Sequence, residues 1–235
     1  MKRLAKRSLS FEREYNLKFM GLVGNVFLDQ KIDEAIQLGK QIDAYNQVLK
    51  RPELIPLTQF YIGVDSGFGS SAFAIVLLTV MDDKICVLET KEIYREQFDF
   101  CINQVSNIML KYGLNTYNTK ILVDAALSLL NYRKKNKLRD VYFDMVVIPV
   151  NFNIATKKEM LLNLKELLDA GLIAINMERH ANLVLALRTA QAIDMILDKE
   201  ATASDDLLDA MSLACRRITV NRQQIQRFDF RICMV

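Results

Sequence analysis

Three apolar runs that follow one another between residues 60 and 93 constrain the fold of this chain more than any other feature. They are Phe60–Asp65, Ser71–Val80 and Ile85–Ile93, and turn residues separate each run from the next. Short apolar runs that are rich in β-branched and aromatic residues and are bounded by glycine, serine or aspartate are typical of strands. The sequence therefore predicts an antiparallel meander of three strands.

Helices and further strands alternate after the meander. Apolar residues recur at helical spacing in four stretches, which are Gln97–Tyr112, Lys157–Ala170, Leu183–Leu197 and Asp205–Ile218. Two short apolar runs, Lys120–Asp124 and Met145–Val150, predict strands, and Leu172–Ile175 is a candidate for one more. Elements in the order βββαβαβα give an α/β fold, with a mixed five-stranded sheet flanked by helices.

The residue types present exclude several classes of enzyme. His180 is the single histidine, so a Ser-His-Asp or Cys-His system would have to use it. No motif surrounds His180, and we expect it at the surface. The four cysteines lack C-x-x-C spacing, which argues against the usual zinc and redox motifs and favours a reduced, intracellular protein. The Gly-x-x-x-x-Gly-Lys-Ser/Thr loop of P-loop ATPases is absent too.

Length and charge set further limits. At 235 residues the chain suits one domain with an appended segment. We expect an N-terminal segment or linker over residues 1–58, which ends near Pro52 and Pro56, a core domain over 59–220 and a C-terminal tail over 221–235. The longest apolar runs are about ten residues, well short of the roughly 20 that cross a bilayer. The net charge of +3 permits nucleic-acid binding without arguing for it.

Two aspartates, Asp65 and Asp124, stand at the ends of predicted strands. A carboxylate at the end of a buried strand is costly unless it is paired, and two such ends on neighbouring strands bring like charges together. A divalent cation relieves that repulsion, and Mg²⁺ and Mn²⁺ prefer oxygen ligands. The pair is thus a candidate metal site. Two structural roles stay open, since Asp65 precedes a glycine-rich turn and Asp124 is a natural helix N-cap.

Three more aspartates lie at the start of the last predicted helix. Residues three and four apart share a helix face, so Asp209 shares a face with both Asp206 and Asp205. A stacked pair of carboxylates that faces two strand-end aspartates is what a two-metal phosphodiesterase needs. Acidic residues in a first turn also stabilise a helix through its dipole, and for Asp205 we favour this structural role.

The order of these acidic passages resembles the RNase H-like superfamily and, more narrowly, the nuclease domain of viral terminase large subunits. The passages similar to the first-strand, second acidic and terminal-helix motifs of that family are Tyr61–Gly67, Ile121–Ala126 and Ser204–Ala210. Val147–Phe152, followed by Lys157–Glu159, is similar to a further family stretch, and Phe11–Phe27 to the segment that joins a terminase ATPase domain to its nuclease. The ATPase itself is missing, so the resemblance implies a chain that cuts DNA without translocating it.

The resemblance implies an RNase H-like fold and a metal-dependent endodeoxyribonuclease that cuts concatemeric double-stranded DNA with little sequence specificity during viral genome packaging. It implies two Mg²⁺ or Mn²⁺ ions, with Asp65 bridging both, Asp124 binding one, and Asp206 with Asp209 completing the second site; Asp205 is a weaker candidate. It also implies three partners, namely an ATPase motor domain, a portal and a small terminase subunit. Residues 1–58 would be the end of that ATPase domain. The implied location is the host cell cytoplasm.

Basic residues near these passages are candidates for DNA contacts. Arg133, Lys134 and Lys135 belong to a run of cations shortly after the second acidic motif, where they could follow the phosphates of a duplex. A solvated helix C-terminus explains that run as well. Lys157 and Lys158 stand at a predicted helix start, where the helix dipole slightly disfavours cations, and this position favours an anionic partner such as DNA.

Three other functions stay open from the sequence. A Holliday-junction resolvase of the same superfamily would share all four carboxylates, although the Phe11–Phe27 segment favours the terminase. A non-catalytic packaging interaction module is the alternative outside the enzymes. Gly63–Gly69 also resembles the first phosphate loop of actin-like ATPases, but that class needs a second glycine-rich loop, which this sequence lacks.

Overall fold

The structure is a computed structural model that describes residues 24–50, 55, 58–67, 71–124, 146–220 and 225–227. The helices in these ranges are α1 (Asp29–Ile42), α2 (Ala44–Lys50), α3 (Phe98–Lys111), α4 (Ile154–Asp169), α5 (Ala181–Thr189) and α6 (Asp205–Cys215). The strands are β1 (Gly24–Asn25), β2 (Phe60–Asp65), β3 (Phe73–Met81), β4 (Lys84–Ile93), β5 (Thr119–Asp124), β6 (Val146–Val150), β7 (Ile173–Ala174), β8 (Gln191–Ile193), β9 (Ile196–Leu197), β10 (Ile218–Val220) and β11 (Ile225–Arg227).

The central sheet has six strands in the order β6-β5-β2-β3-β4-β7. β2, β3 and β4 form an antiparallel meander, whereas β5 and β6 on one side and β7 on the other side join in parallel. The predicted meander and the mixed sheet of an α/β fold are confirmed. The prediction of five strands was one too few, because the short run Ile173–Ala174 pairs with Ile85 and Cys86 at the edge of β4.

Each face of the sheet packs against its own layer of helices. Apolar side chains of α1, α4, α5 and α6 cover one face, and those of α2 and α3 cover the other. In β2, Tyr61 faces the α6 layer whereas Ile62 and Val64 face the α3 layer, because successive side chains of a strand point to opposite sides. Both faces are therefore core, and the strand ends are where charged groups can meet solvent.

The described part of the N-terminal segment packs on this sheet. β1 pairs with β8, and the backbone N–H of Ile175 donates to the carbonyl oxygen of Ala35 at 3.0 Å. α1 lies so close to the end of β7 that a Cβ on Gly39 would stand 2.2 Å from the carbonyl oxygen of Ile175. Residues 24–50 are thus part of the folded core, and the domain boundary at residue 58 stays a prediction.

The prediction of one helix over Leu183–Leu197 was wrong beyond Thr189, where α5 ends and a β8–β9 hairpin follows. Ala190 leaves the helical conformation, with φ −58° and ψ 110°. β8 then pairs with β1, which lies at the N-terminal end of the described chain. The hairpin turns at Asp194 and Met195, which have positive φ values of 50° and 61°. Pairing with a distant strand thus overrides the local helical spacing, which is a weak preference by itself.

The last helix also ends earlier than predicted, at Cys215 instead of Ile218. The side-chain amide of Asn163, on α4, donates to the carbonyl oxygens of Cys215 and Ile218 at 3.0 and 3.1 Å. These bonds satisfy carbonyls that a helix end leaves without partners. Ile218 then begins β10, which pairs with β11 within the predicted tail.

None of the described helices is long and apolar enough to span a membrane. Cys86, Cys101 and Cys215 are buried and free, and burial raises the pKa of each thiol. Thiolate is the reactive form of cysteine, so these three residues serve as small apolar core groups.

Candidate functional site

Two of the predicted acidic residues end adjacent parallel strands of the central sheet. Val64 of β2 pairs with Val123 of β5, so Asp65 and Asp124 follow side by side on strands about 4.8 Å apart. The hydroxyl of Ser66 donates to the carbonyl oxygen of Asp124 at 3.4 Å and ties the two strand ends together. The two strands are therefore neighbours and their ends adjoin, as the candidate metal site predicted from the sequence requires.

Both strand-end side chains lie on the sheet face that α6 covers. Alternate residues of a strand point to the same face of the sheet. Asp65 therefore shares a face with Tyr61 in β2, and Asp124 shares a face with Leu122 in β5. Tyr61 and Leu122 both pack in the α6 layer. Asp65 is nearly fully buried, with 7% of its surface exposed. The two carboxylates thus point towards the helix that carries the remaining aspartates.

A glycine in β2 sets the distance between that strand and α6. A Cβ on Gly63 would stand 1.9 Å from the carbonyl oxygen of Ala210 and 2.7 Å from the backbone nitrogen of Ala214, far inside normal contact distances. Residue 63 therefore has to be glycine for the helix backbone to lie against the strand. This close approach carries Asp206 and Asp209, on the same helix, over the end of β2.

The aspartates of α6 have different partners. Asp206 is buried, with 7% exposure, and its Oδ2 accepts a hydrogen bond at 2.7 Å from the backbone N–H of Ala72. Asp209 is buried, with 8% exposure. Asp205 instead turns to Lys199 and forms an ion pair of 3.1 Å with its Nζ. The helix face shared by Asp206 and Asp209 is thus the one that meets the sheet.

Burial and neighbouring charges act together on the carboxyl of Asp65. The pKa of Asp65 is raised to about 7. Burial is the largest cause, the charge of Asp209 is the second, and the charge of Asp206 adds to the rise. The backbone N–H of Gly67, 3.3 Å from Asp65 Oδ1, and the charge of Lys157 oppose it. Burial also raises the pKa of Asp206, against the hydrogen bond from Ala72.

Lys157, which was predicted from the sequence as a candidate DNA contact, lies against Asp209 of the acidic cluster formed by Asp65, Asp124, Asp206 and Asp209. Its Nζ is 2.5 Å from Oδ2 of Asp209 and 4.4 Å from the centre of the Phe152 ring. Lys158 is half-buried on the same helix. Arg133, Lys134 and Lys135 lie outside the described residues.

The structure places Asp65 beside Asp124 at the ends of adjacent strands and packs α6, which carries Asp206 and Asp209, against the strand of Asp65. Asp205 pairs with Lys199 instead. Even so, no group of three or more His, Cys, Asp or Glu side chains within the described ranges is arranged to hold an ion. The donor chemistry suits Mg²⁺ or Mn²⁺, because the cluster offers carboxylate oxygens alone and suffers mutual repulsion without a cation. The metal-binding roles of these residues stay a prediction.

One further carboxylate near the cluster was not predicted from sequence. Glu92 of β4 pairs with Ala74 of β3, which pairs with Asp65, so the two carboxylates lie in one row across the sheet. Glu92 accepts hydrogen bonds from the hydroxyl of Tyr94 at 3.1 Å and from the amide of Asn182 at 2.9 Å. This row depends on the register of three strands, including a shift between residues 77 and 78, which no local pattern reveals.

The prediction that His180 lies at the surface was wrong, since 3% of it is exposed. Its Nδ1 lies 3.1 Å from the hydroxyl of Thr90, and burial lowers its pKa to about 4. His180 stands just before α5, at a packing position between this helix and β4. It is a neutral core residue at physiological pH.

The similarity of this chain to known proteins lies in its fold and not in its sequence. No family model and no curated protein matches the chain by sequence. Among solved structures, the large terminase of bacteriophage HK97 is similar with a TM-score of 0.58 and 14% identity, over 87% of this chain and 47% of that one. The large terminase nuclease of thermophilic phage G20c is similar with a TM-score of 0.53 and 14% identity, over 69% and 83% of the two chains. A structure of that nuclease with bound magnesium gives a TM-score of 0.50 and 14% identity, over 68% and 82%.

The chain spans about half of the length of the HK97 protein. Identities of 14% support a common fold and do not extend to residue roles. The chain therefore has the RNase H-like α/β fold of large terminase nuclease domains.

Proposed function

We propose that this chain is a metal-dependent endodeoxyribonuclease domain of the terminase type. The observation that carries the proposal is the close packing of α6, which carries the buried Asp206 and Asp209, against β2, which ends at the buried Asp65 beside Asp124. Burial and neighbouring carboxylates raise the pKa of Asp65 to about 7, a shift that is typical of functional sites and that a bound cation would oppose. The likeness of the fold to terminase nucleases supports the same conclusion.

The residues that would hold divalent cations are Asp65, Asp124, Asp206 and Asp209. Divalent cations held there would supply the activation of a water and the stabilisation of the leaving oxygen of a phosphodiester. A nuclease of this fold from phage G20c has been solved with magnesium bound. Mg²⁺ or Mn²⁺ is therefore the cofactor that we propose.

The chain's own groups fix the carboxylates in place. The backbone N–H of Ala72 orients Asp206 through a 2.7 Å hydrogen bond, and Ser66 links the ends of β2 and β5. Gly63 lets α6 lie on the sheet, so that Asp209 reaches the same edge as Asp65. Such an arrangement preorganises negative charge for cations, which is the main contribution of a protein to this type of chemistry.

The substrate that fits this proposal is double-stranded DNA cut with little sequence preference, because contacts to phosphates position a duplex without reading its bases. In the HK97 protein the similar region is part of a longer large terminase. We therefore propose that this domain works with an ATPase motor, a portal and a small terminase subunit in an infected host cell. Asp205 is not part of the proposed site, because it pairs with Lys199.

The test is plasmid cleavage by the purified chain. We expect supercoiled plasmid to be nicked and linearised with Mn²⁺ or Mg²⁺, and to stay intact in EDTA. Asp65→Asn should abolish cleavage because it removes the central carboxylate. Cleavage that survives Asp65→Asn, or that persists in EDTA, would show that another mechanism or a contaminant is responsible.

A second substrate separates the two nuclease classes that share this fold. A linear duplex and a four-way junction of equal length are incubated with the enzyme under the same conditions. We expect similar rates on both, as for a packaging nuclease. A junction rate that is far higher would identify a resolvase and contradict the terminase assignment.

A further inference from the structure

We propose that Lys157 is a built-in counter-cation for the carboxylate cluster, which holds Asp209 in place in the metal-free protein and competes with divalent cations for it. The inference rests on the proposed metal site and adds a residue that tunes it. The first support is the contact itself, with Nζ of Lys157 2.5 Å from Oδ2 of Asp209. Lys157 thus meets a carboxylate that faces the sheet and not bulk solvent.

Burial makes the loss of one partner of this ion pair more costly than in an ordinary surface pair. The side chain of Asp209 is 12% exposed and that of Lys157 is 35% exposed. A carboxylate that is shielded from water is costly unless an opposite charge or hydrogen bonds compensate it. Lys157 supplies this compensation, so that the buried carboxylate of Asp209 has a partner within the protein itself.

The position of Lys157 is fixed from several sides. Its Nζ lies 4.4 Å from the centre of the Phe152 ring, at a distance typical of a cation–π contact. The α4 helix begins at a firm N-cap, where Oδ1 of Asn153 accepts from the backbone N–H of Thr156 at 2.9 Å. Asn163, further along α4, is bonded to the end of α6 at two carbonyls. The Lys157 ammonium is thus held against α6 and is not free to extend towards a DNA groove.

Helix electrostatics point to the same role. The first turn of α4 contains no acidic residue, and the positive end of the helix dipole disfavours a nearby lysine. Asp209, at the same helix end, offsets that penalty. The neighbouring pair of Lys199 with Asp205 lies outside the buried cluster, so it does not touch a carboxylate that we place in the site.

A positive charge in contact with Asp209 oxygen opposes the approach of a divalent cation to the same oxygen. Removing the charge should therefore strengthen metal binding and weaken the metal-free fold. We expect an effect on metal affinity of about fivefold or more, which is the lower end of the range for coupling between two binding events. If Lys157 were instead a contact for DNA phosphates, its removal would leave metal affinity as it is.

The experiment compares Lys157→Met with the wild type by titration calorimetry with Mn²⁺ at pH 7.5, without DNA. Methionine keeps the length of the stem and its packing near Phe152 but removes the charge. We expect the Mn²⁺ dissociation constant to fall by about fivefold or more, and the melting temperature in EDTA to fall. Lys157→Arg keeps the charge and should stay close to the wild type in both measurements.

The matched control is Lys165→Met. Lys165 lies on the same helix and forms an ion pair with Asp169, so this variant makes the same charge change away from the cluster. It should leave the Mn²⁺ dissociation constant unchanged, since charges beyond about 8 Å are largely screened at physiological salt. If Lys157→Met fails to fold, Lys157→Gln carries the same test.

The outcomes separate this inference from the proposed function. An Mn²⁺ dissociation constant that is unchanged or higher in a folded Lys157→Met variant overturns the counter-cation role. Weaker duplex binding in EDTA, measured by fluorescence anisotropy, together with unchanged Mn²⁺ affinity, would make Lys157 a phosphate contact instead. A wild-type chain that binds no Mn²⁺ at all would overturn the metal site itself, and the counter-cation role with it.

Discussion

The carboxylate of Asp206 accepts a hydrogen bond at 2.7 Å from the backbone N–H of Ala72, 134 residues earlier in the chain. Ala72 directly precedes β3, and Ala74, two residues later, pairs with Asp65. The bond therefore fixes the start of α6 above the strand ends that carry the other acidic residues. It also satisfies one buried oxygen of Asp206, which would otherwise carry the cost of burial without a partner.

Removal of the close contact between β2 and α6 should disrupt the site. In Gly63→Ala the new Cβ would meet the carbonyl oxygen of Ala210 at 1.9 Å, so strand and helix must separate. We expect a loss of about 3 kcal/mol of stability, as for severe overpacking, together with loss of cleavage. Urea denaturation measures the first effect. Gly24→Ala, where nothing lies within 4 Å of the new Cβ, is the control and should change stability by less than about 0.5 kcal/mol.

Two aspartates of α6 that lie four residues apart should respond differently to the same substitution. Asp209→Asn removes a buried carboxylate of the cluster, and we expect plasmid cleavage to slow by about a hundredfold or more, as when a main electrostatic group of an active site is lost. Asp205→Asn removes a partner of Lys199 and should change the rate by no more than a few fold. Initial rates on supercoiled plasmid provide the comparison. Equal losses in both variants would mean that Asp205 belongs to the site.

Divalent cations should stabilise the fold. At a free Mn²⁺ concentration of about 100 times the dissociation constant, binding adds about 2.7 kcal/mol. Each kcal/mol corresponds to about 2–4 °C for a chain of this size, so we expect the melting temperature to rise by about 5–10 °C above its value in EDTA. Asp65→Asn should remove the rise. A rise that is the same in Asp65→Asn and in the wild type would place the bound ion elsewhere.

Acid should destabilise the chain through His180. Burial holds its pKa in the folded state at about 4, below the ordinary value of 6.5, so the unfolded chain binds the proton first as the pH falls. Its neutral form therefore contributes stability that is present above pH 6.5 and is lost as the pH falls from 6.5 towards 4. The loss is on the order of 3 kcal/mol.

The matching variant is His180→Asn, which keeps a polar atom near the hydroxyl of Thr90 but does not titrate in this range. Urea denaturation at pH 7.0, 5.5 and 4.5, in EDTA, should show a steeper loss for the wild type than for the variant. Subtraction of the two curves removes the contributions of other groups, such as the carboxyl of Asp65. Parallel curves would mean that His180 is exposed or protonated in the folded protein.

The sequence alone determined the elements of this protein and the types of residue at their ends. Strand-like runs at Phe60–Asp65 and Ile85–Ile93 and the helical stretch Gln97–Tyr112 predicted the meander and α3, because burial imposes a period of two on a strand and 3.6 on a helix. The same patterns placed Asp65 and Asp124 at strand ends. Local spacing can establish these points, because each depends on contacts within a few residues.

Only the tertiary structure decided how those ends meet. The contact of Gly63 with α6, the row that includes Glu92 and the pairing of Lys157 with Asp209 all join residues that lie far apart in the chain. The β8–β9 hairpin replaces a predicted helix for the same reason, because pairing with β1 outweighs a local preference that is worth a fraction of a kcal/mol per residue. Strand register and the approach of helix to sheet depend on the packing of the whole core, and no short stretch of sequence contains that information.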